Sequence, residues 1–242
     1  VDVRVTRGMY GIGILKTTNG GATWTKSLDW SYSSQRGVWK VIFNPKNRNV
    51  LYAVTSEGVW KSDNAGGNWS QVLNYAMAVD IEINPVDTNI LYVSIGNLTN
   101  NIPNANVGIY KTTNSGSSWV ELTGGLPASW TGKTTIDIYR PNPNRLVASV
   151  ANDFSSMGIY VTTDAGNTWT LQPGTSSNYL GSQGWFTNPL HIKSNDSSKV
   201  IVGGVDLYAS VTGGSNITIK SYWNQWIIGQ IVPPGGVEGT AP

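Results

Sequence analysis

An eight-residue stretch recurs along this chain at nearly constant spacing, and no other feature constrains the fold as tightly. Thr17 to Trp24, Ser62 to Trp69, Thr112 to Trp119 and Thr162 to Trp169 share the form Ser/Thr-x-Asn/Asp-x-Gly-x-polar-Trp. The tryptophans step by 45, 50 and 50 residues, and a fifth, worn copy from Ser210 to Ile217 lacks its tryptophan. Fixed-period self-similarity of this length is the signature of an array of supersecondary units that bury their cores against one another.

Each unit follows one plan. In the second, Val38 to Phe43 is a strand-like run, Asn44 to Asn49 a turn, and Val50 to Val54 a second run. Gly58-Val59-Trp60-Lys61 then leads into the box, and Ser70 to Leu73 leaves it. Val, Ile, Tyr and Trp set between Asn-Pro and Gly punctuation predict short strands joined by tight turns. Four strands in 45–50 residues is the pattern of a β-propeller blade. The expected architecture is all-β, with about five blades represented and the first and last incomplete. The boundaries are a partial blade at 1–37, blades at 38–76, 77–129 and 130–180, a degenerate blade at 181–223 and an extended tail at 224–242. The first strand of the fifth unit is expected from Trp185 to Lys193. A polar insertion, Asn97 to Asn106, lies where repeat proteins often place binding loops.

The box is expected to serve the fold. Its central glycine (Gly21, Gly66, Gly116, Gly166) supplies a residue at positive φ without steric cost. Asn19, Asn64, Asn114 and Asp164 can accept N–H bonds across the turn, and the preceding Ser/Thr can do likewise. Trp24, Trp69, Trp119 and Trp169 are large plates that can slot between sheets. This element resembles the Asp-box, or BNR repeat, of sialidases, sortilin-type receptors, xyloglucanases and plant photosystem assembly factors, over about residues 8 to 223. Gly181 to Phe186, followed by Val202 to Tyr208, is similar to large secreted BNR propellers of Bacteroidetes-type bacteria, sortilin-like or glycosyl-hydrolase-like. That resemblance implies a secreted or cell-surface location. It departs at Ile227-Ile228-Gly229-Gln230, where those proteins commonly carry a His-Ala-Asp-x-His-like stretch. Further blades of the same polypeptide, or a partner chain, are therefore expected to close the array.

Charge removes several function classes. A net charge of +2 over 242 residues, with charged residues at 12%, gives no field for nucleic acid or an anionic membrane. No apolar run reaches the ~18 residues of a transmembrane helix. With no cysteine and only His191, thiolate chemistry, a His-based metal site and a Ser-His-Asp triad are not expected, and no metal or cofactor is. His191 itself reads as a packed or channel-lining residue. A sialidase needs three arginines on one carboxylate, but Arg48, Arg140 and Arg145 fall in or beside inter-strand turns.

Two routes to function remain. A glycosidase needs two carboxylates across a cleft, about 5–9.5 Å apart. Asp80 and Asp137, with Glu82, are the candidates because they lie on first strands, which line a propeller's channel; Asp153 and Asp206 are weaker. A binding module would instead use aromatic plates outside the boxes, foremost Trp130, Trp185 and Tyr179, with Trp30, Tyr32, Trp39, Trp223 and Trp226 behind them. The leading expectation is a binding or scaffold module for glycan or protein, and the alternative is a fragment of a glycoside hydrolase.

Overall fold

A computed structural model describes residues 10–34, 36–96, 104–175 and 177–221. Trp223, Trp226, the tail and most of the 97–106 insertion lie outside the described residues, as does the side chain of Tyr32.

The chain forms five antiparallel sheets taken in sequence order. The first pairs β1 (Tyr10–Lys16) with β2 (Thr25–Ser34). The second runs β3 (Val38–Asn44), β4 (Asn47–Thr55), β5 (Gly58–Ser62) and β6 (Ser70–Leu73). The third runs β7 (Ala78–Ile83), β8 (Leu91–Ile95), β9 (Gly108–Thr112) and β10 (Val120–Glu121). The fourth runs β11 (Thr135–Ile138), β12 (Leu146–Asn152), β13 (Ser155–Thr162) and β14 (Thr170–Leu171). The fifth, expected to be incomplete, has four short strands: β15 (Leu190–Ile192), β16 (Val200–Gly203), β17 (Leu207–Ser210) and β18 (Thr218–Ile219). Each four-stranded sheet is a simple up-and-down meander, and the all-β fold is that of a propeller arc.

Burial shows how the sheets stack. Every residue of β7 and β8 is buried, because sheets cover both of their faces. In β16 burial alternates instead, with Val200 and Val202 buried and Ile201 exposed. The cores lie in the seams: one cluster joins Tyr52, Val54 and Val59 to Ile81, Val93 and Tyr110, and the next joins Tyr92 and Ile109 to Ile136, Leu146 and Trp169. Each buried apolar side chain contributes about 1.5–3 kcal/mol, so these seams fix the blade order.

The boxes tie the seams together. The box's Ser/Thr hydroxyl accepts the glycine N–H at 2.9–3.1 Å in all five copies. In the four sound copies the Asn/Asp oxygen accepts the N–H four residues on, at 2.8–2.9 Å. Two consecutive residues, not one, adopt positive φ, as in Ala165 (59°) and Gly166 (90°). That aims the carbonyl of the fourth box residue at the preceding blade. Tyr52 Oη donates to Ser115, Tyr92 Oη to Ala165 and Arg145 Nη2 to Gly213, at 3.2, 3.1 and 2.8 Å.

Candidate functional site

The first strands β3, β7, β11 and β15 lie side by side and form the inner wall of the arc. Their pairing with the second strands sets common levels. Phe43, Ile83, Ile138 and Ile192 face Leu51, Leu91, Leu146 and Val200, so Ile42, Glu82, Asp137 and His191 share the next level. Lys40, Asp80 and Thr135 share a level two residues further back. Lys40, Asp80, Glu82, Thr135, Asp137 and His191 line a cavity of about 450 Å³, together with Trp39, Lys133, Asn188 and Phe186.

Its electrostatics are dense. Lys40 Nζ lies 2.8 Å from Asp80 Oδ1 and 2.6 Å from Glu82 Oε1. Burial alone would lower the Lys40 pKa, but the two carboxylates outweigh it and keep the ammonium charged. Burial pushes Glu82 up to about 7, with Lys40 opposing and Asp80 and Asp137 reinforcing the rise. Burial also raises Asp137, against the N–H of Ile192 and the His191 ring. His191 Nδ1 stands 3.1 Å from Asp137 Oδ2 while most of its ring is exposed. His191 therefore lines the channel and is not packed. Among the described residues no group of three His, Asp or Glu could hold a metal ion, and no helix is long and apolar enough to cross a membrane.

Asp80 and Asp137 thus meet at one cavity, but each is already engaged. Asp80 Oδ1 accepts the Ile81 N–H and Oδ2 the Ile136 N–H of the next blade, both at 2.9 Å. Asp137 repeats the pattern, with Oδ1 on the Ile138 N–H (2.9 Å) and Oδ2 on the Ile192 N–H (2.7 Å). The first service of both is to stitch inner strands together. Asp153 is buried at the β12–β13 turn, away from the cavity lining.

Two of the aromatic expectations are corrected. Trp130 is only 3% exposed, packed in the seam between the third and fourth blades. Tyr179 is 1% exposed, its hydroxyl 2.7 Å from Ser149 Oγ in the next seam. Trp30 is also buried, edge-on to Trp60. Neither Trp130 nor Tyr179 can offer a plate to a ligand, because neighbouring sheets cover both. Trp185 is half-buried with its ring 5.1 Å from that of Phe186, which is 54% exposed at the cavity wall. Both precede the strand: the Phe186 and Thr187 N–H groups turn back onto the Gln183 carbonyl, so β15 starts at Leu190, not at Trp185. Lys40, Lys133, Asn188 and Phe186 were not foreseen as site residues. Aligning the units on their second strands would have flagged Lys40, which occupies the Asp80 position one blade earlier.

The Glu82 shift carries a pH signature. Its folded pKa lies above the unfolded value of about 4.5, so the folded state binds the proton more tightly. Stability is therefore expected to fall as pH rises from about 4.5 to 7, and Glu82→Gln to flatten that slope. Urea melts across the window check it; an unchanged slope in the variant would contradict it.

No family model matches the sequence, and no curated protein does. Solved structures do match in fold. An ancestral GH74 enzyme superposes at a TM-score of 0.66 with 19% identity, covering 88% of this chain and 29% of its own. The GH74 xyloglucanase of Xanthomonas campestris gives 0.59, 18%, 85% and 34%. An auxiliary nutrient-binding protein of Bacteroides thetaiotaomicron gives 0.52, 17%, 76% and 41%. The chain spans less than half the length of each, and at these identities the likeness establishes the fold: a β-propeller.

Proposed function

We propose that the chain is part of a secreted or cell-surface propeller, built on Asp-box repeats, that binds glycan at its inner-strand cavity. The observation that carries this reading is the wall itself: carboxylates, an imidazole and two ammonium groups converge on about 450 Å³, beside the exposed Phe186 ring and its neighbour Trp185. Hydroxyl-rich rings need such dense donors and acceptors, and an aromatic face to stack on. Fold likeness to a xyloglucanase and a nutrient-binding protein supports it. Further blades or a partner chain cover the exposed apolar residues of the second and fifth sheets, Val41 and Phe43 on β3 and Ile201 and Leu207 on β16 and β17.

A hydrolase reading is favoured by one observation, the Glu82 carboxyl near 7 at the same level as Asp137. A carboxyl held there can act as a general acid near neutrality. Asp80→Asn or Asp137→Asn would not test it, since both disturb strand stitching; Glu82→Gln does.

Calorimetry against a panel of plant and bacterial oligosaccharides tests the binding reading, with light scattering on the same sample. The expected result is binding without turnover, weakened about tenfold in Phe186→Ala, roughly 1.4 kcal/mol. Reducing-end release abolished by Glu82→Gln would replace it with the hydrolase reading. Absence of binding across the panel would reject it, and a stable monodisperse monomer would reject the covering blades or partner chain.

A further inference from the structure

The cavity holds two lysines in unlike states. Lys40 is saturated by Asp80 and Glu82. Lys133 is not: among the described residues nothing accepts a hydrogen bond or forms an ion pair with its ammonium. Its main chain is fixed at both ends, the N–H donating to the Gly184 carbonyl and the carbonyl accepting from Asn188 Nδ2, each at 2.7 Å. The ammonium sits 5.5 Å from the centre of the Trp39 ring, another wall of the cavity. An aromatic face holds a cation in place without satisfying its N–H donors. The Asp80 charge acts on Lys133 against the effect of burial, but the Asp80 oxygens already receive Lys40 and the N–H groups of Ile81 and Ile136. A partly desolvated cation with no hydrogen-bonded counter-ion among the described residues is costly, and burial lowers the Lys133 pKa more than the Asp80 charge raises it.

We infer that Lys133, braced on Trp39, is the subsite for an anionic substituent of the bound glycan, a uronate carboxylate or a sulfate ester, so that the cavity selects acidic over neutral sugars. The inference rests on the glycan-binding reading above and adds the charge class of the ligand. A carboxylate or sulfate oxygen would take the N–H donors that no group among the described residues accepts. Such charge-assisted hydrogen bonds are roughly twice as strong as neutral ones.

Calorimetry on the unmodified chain tests it with a matched pair, tetragalacturonate and its methyl ester, and with a sulfated galactan oligosaccharide beside its unsulfated parent. The expected result is an acidic ligand bound about tenfold more tightly than its neutral counterpart, with the ratio shrinking at high salt. The pair that shows the preference identifies which anion the subsite takes. Lys133→Met should bring the acidic ligand down to the neutral level, and Lys133→Arg should keep most of the preference. Equal affinity within both pairs, or a preference that survives Lys133→Met, overturns the inference while leaving neutral glycan binding intact. Failure of every glycan to bind overturns both readings. The matched pairs need no variant, so they decide the matter even if Lys133→Met does not fold.

Discussion

Replacing Asp80 by alanine is expected to destabilise the fold by about 3–5 kcal/mol, the cost of removing one partner from a buried charged network. Asp80 is buried on β7 and holds three donors: Lys40 from the blade before, its own Ile81 N–H, and the Ile136 N–H of the blade after. Without it, the Ile81 and Ile136 N–H groups lose this acceptor and the half-buried Lys40 ammonium keeps only Glu82, and buried donors are costly to leave unmade. Asp63 provides the contrast. It also pairs with a lysine, Lys61 at 2.9 Å, but its own side chain is 65% exposed. Breaking that pair is expected to cost under about 1 kcal/mol, as surface ion pairs do. Chemical denaturation of Asp80→Ala and Asp63→Ala measures both. Equal losses would contradict the stitching role of Asp80.

The box tryptophans should separate just as widely. Trp169→Ala is expected to cost about 3–5 kcal/mol and Trp24→Ala under about 0.5 kcal/mol. The two occupy the same place in the repeat, and each indole N–H donates to its own box glycine carbonyl at 3.1 Å. Trp169, however, is 4% exposed in the seam with the third blade, and its backbone N–H reaches the Gly124 carbonyl there at 2.6 Å. Trp24 is 57% exposed, with no sheet on that side among the described residues. Trp69 and Trp119 fall between, half-buried and donating to the preceding blade, to Ser27 Oγ at 2.9 Å and the Val72 carbonyl at 3.1 Å. Thermal melts of the four alanine variants should rank Trp169 first and Trp24 last. A flat series would mean that the tryptophan acts within its own turn and not as a wedge between blades.

What could be read ahead of the structure was local. Punctuation by Asn-Pro and Gly, with β-branched runs between, placed most strands, because turn chemistry and period are written within a few residues of one another. The tryptophans at Trp24 and Trp169 look identical in sequence, yet one is a surface plate and the other a core residue. That difference depends on which sheet lies alongside. The same holds for Trp130 and Tyr179, loop aromatics that neighbouring blades cover. Where the pairing of the inner strands breaks was hidden for a different reason. The β3–β4 and β7–β8 ladders each carry a register shift just before Lys40 and Asp80, which no periodicity argument anticipates. Asp80, Glu82 and Asp137 could be placed on channel strands, and Lys40 occupies the Asp80 position of the blade before, but its reach across the seam to two of these carboxylates could not be read from the repeat. Lys133 and Phe186 precede their strands, where position is set by inter-blade hydrogen bonds such as Lys133 N–H to Gly184.

The claim that the inner-strand cavity is the ligand site is tested most directly by the indole N–H resonances of the tryptophans as an oligosaccharide is titrated in. Trp39 lines the cavity and Trp185 adjoins its wall, whereas Trp60, Trp119 and Trp169 sit in blade seams or boxes. The expected result is saturable shifts of the Trp39 and Trp185 indoles, with the other three unmoved. Shifts confined to the box tryptophans, with Trp39 and Trp185 unmoved, would contradict it.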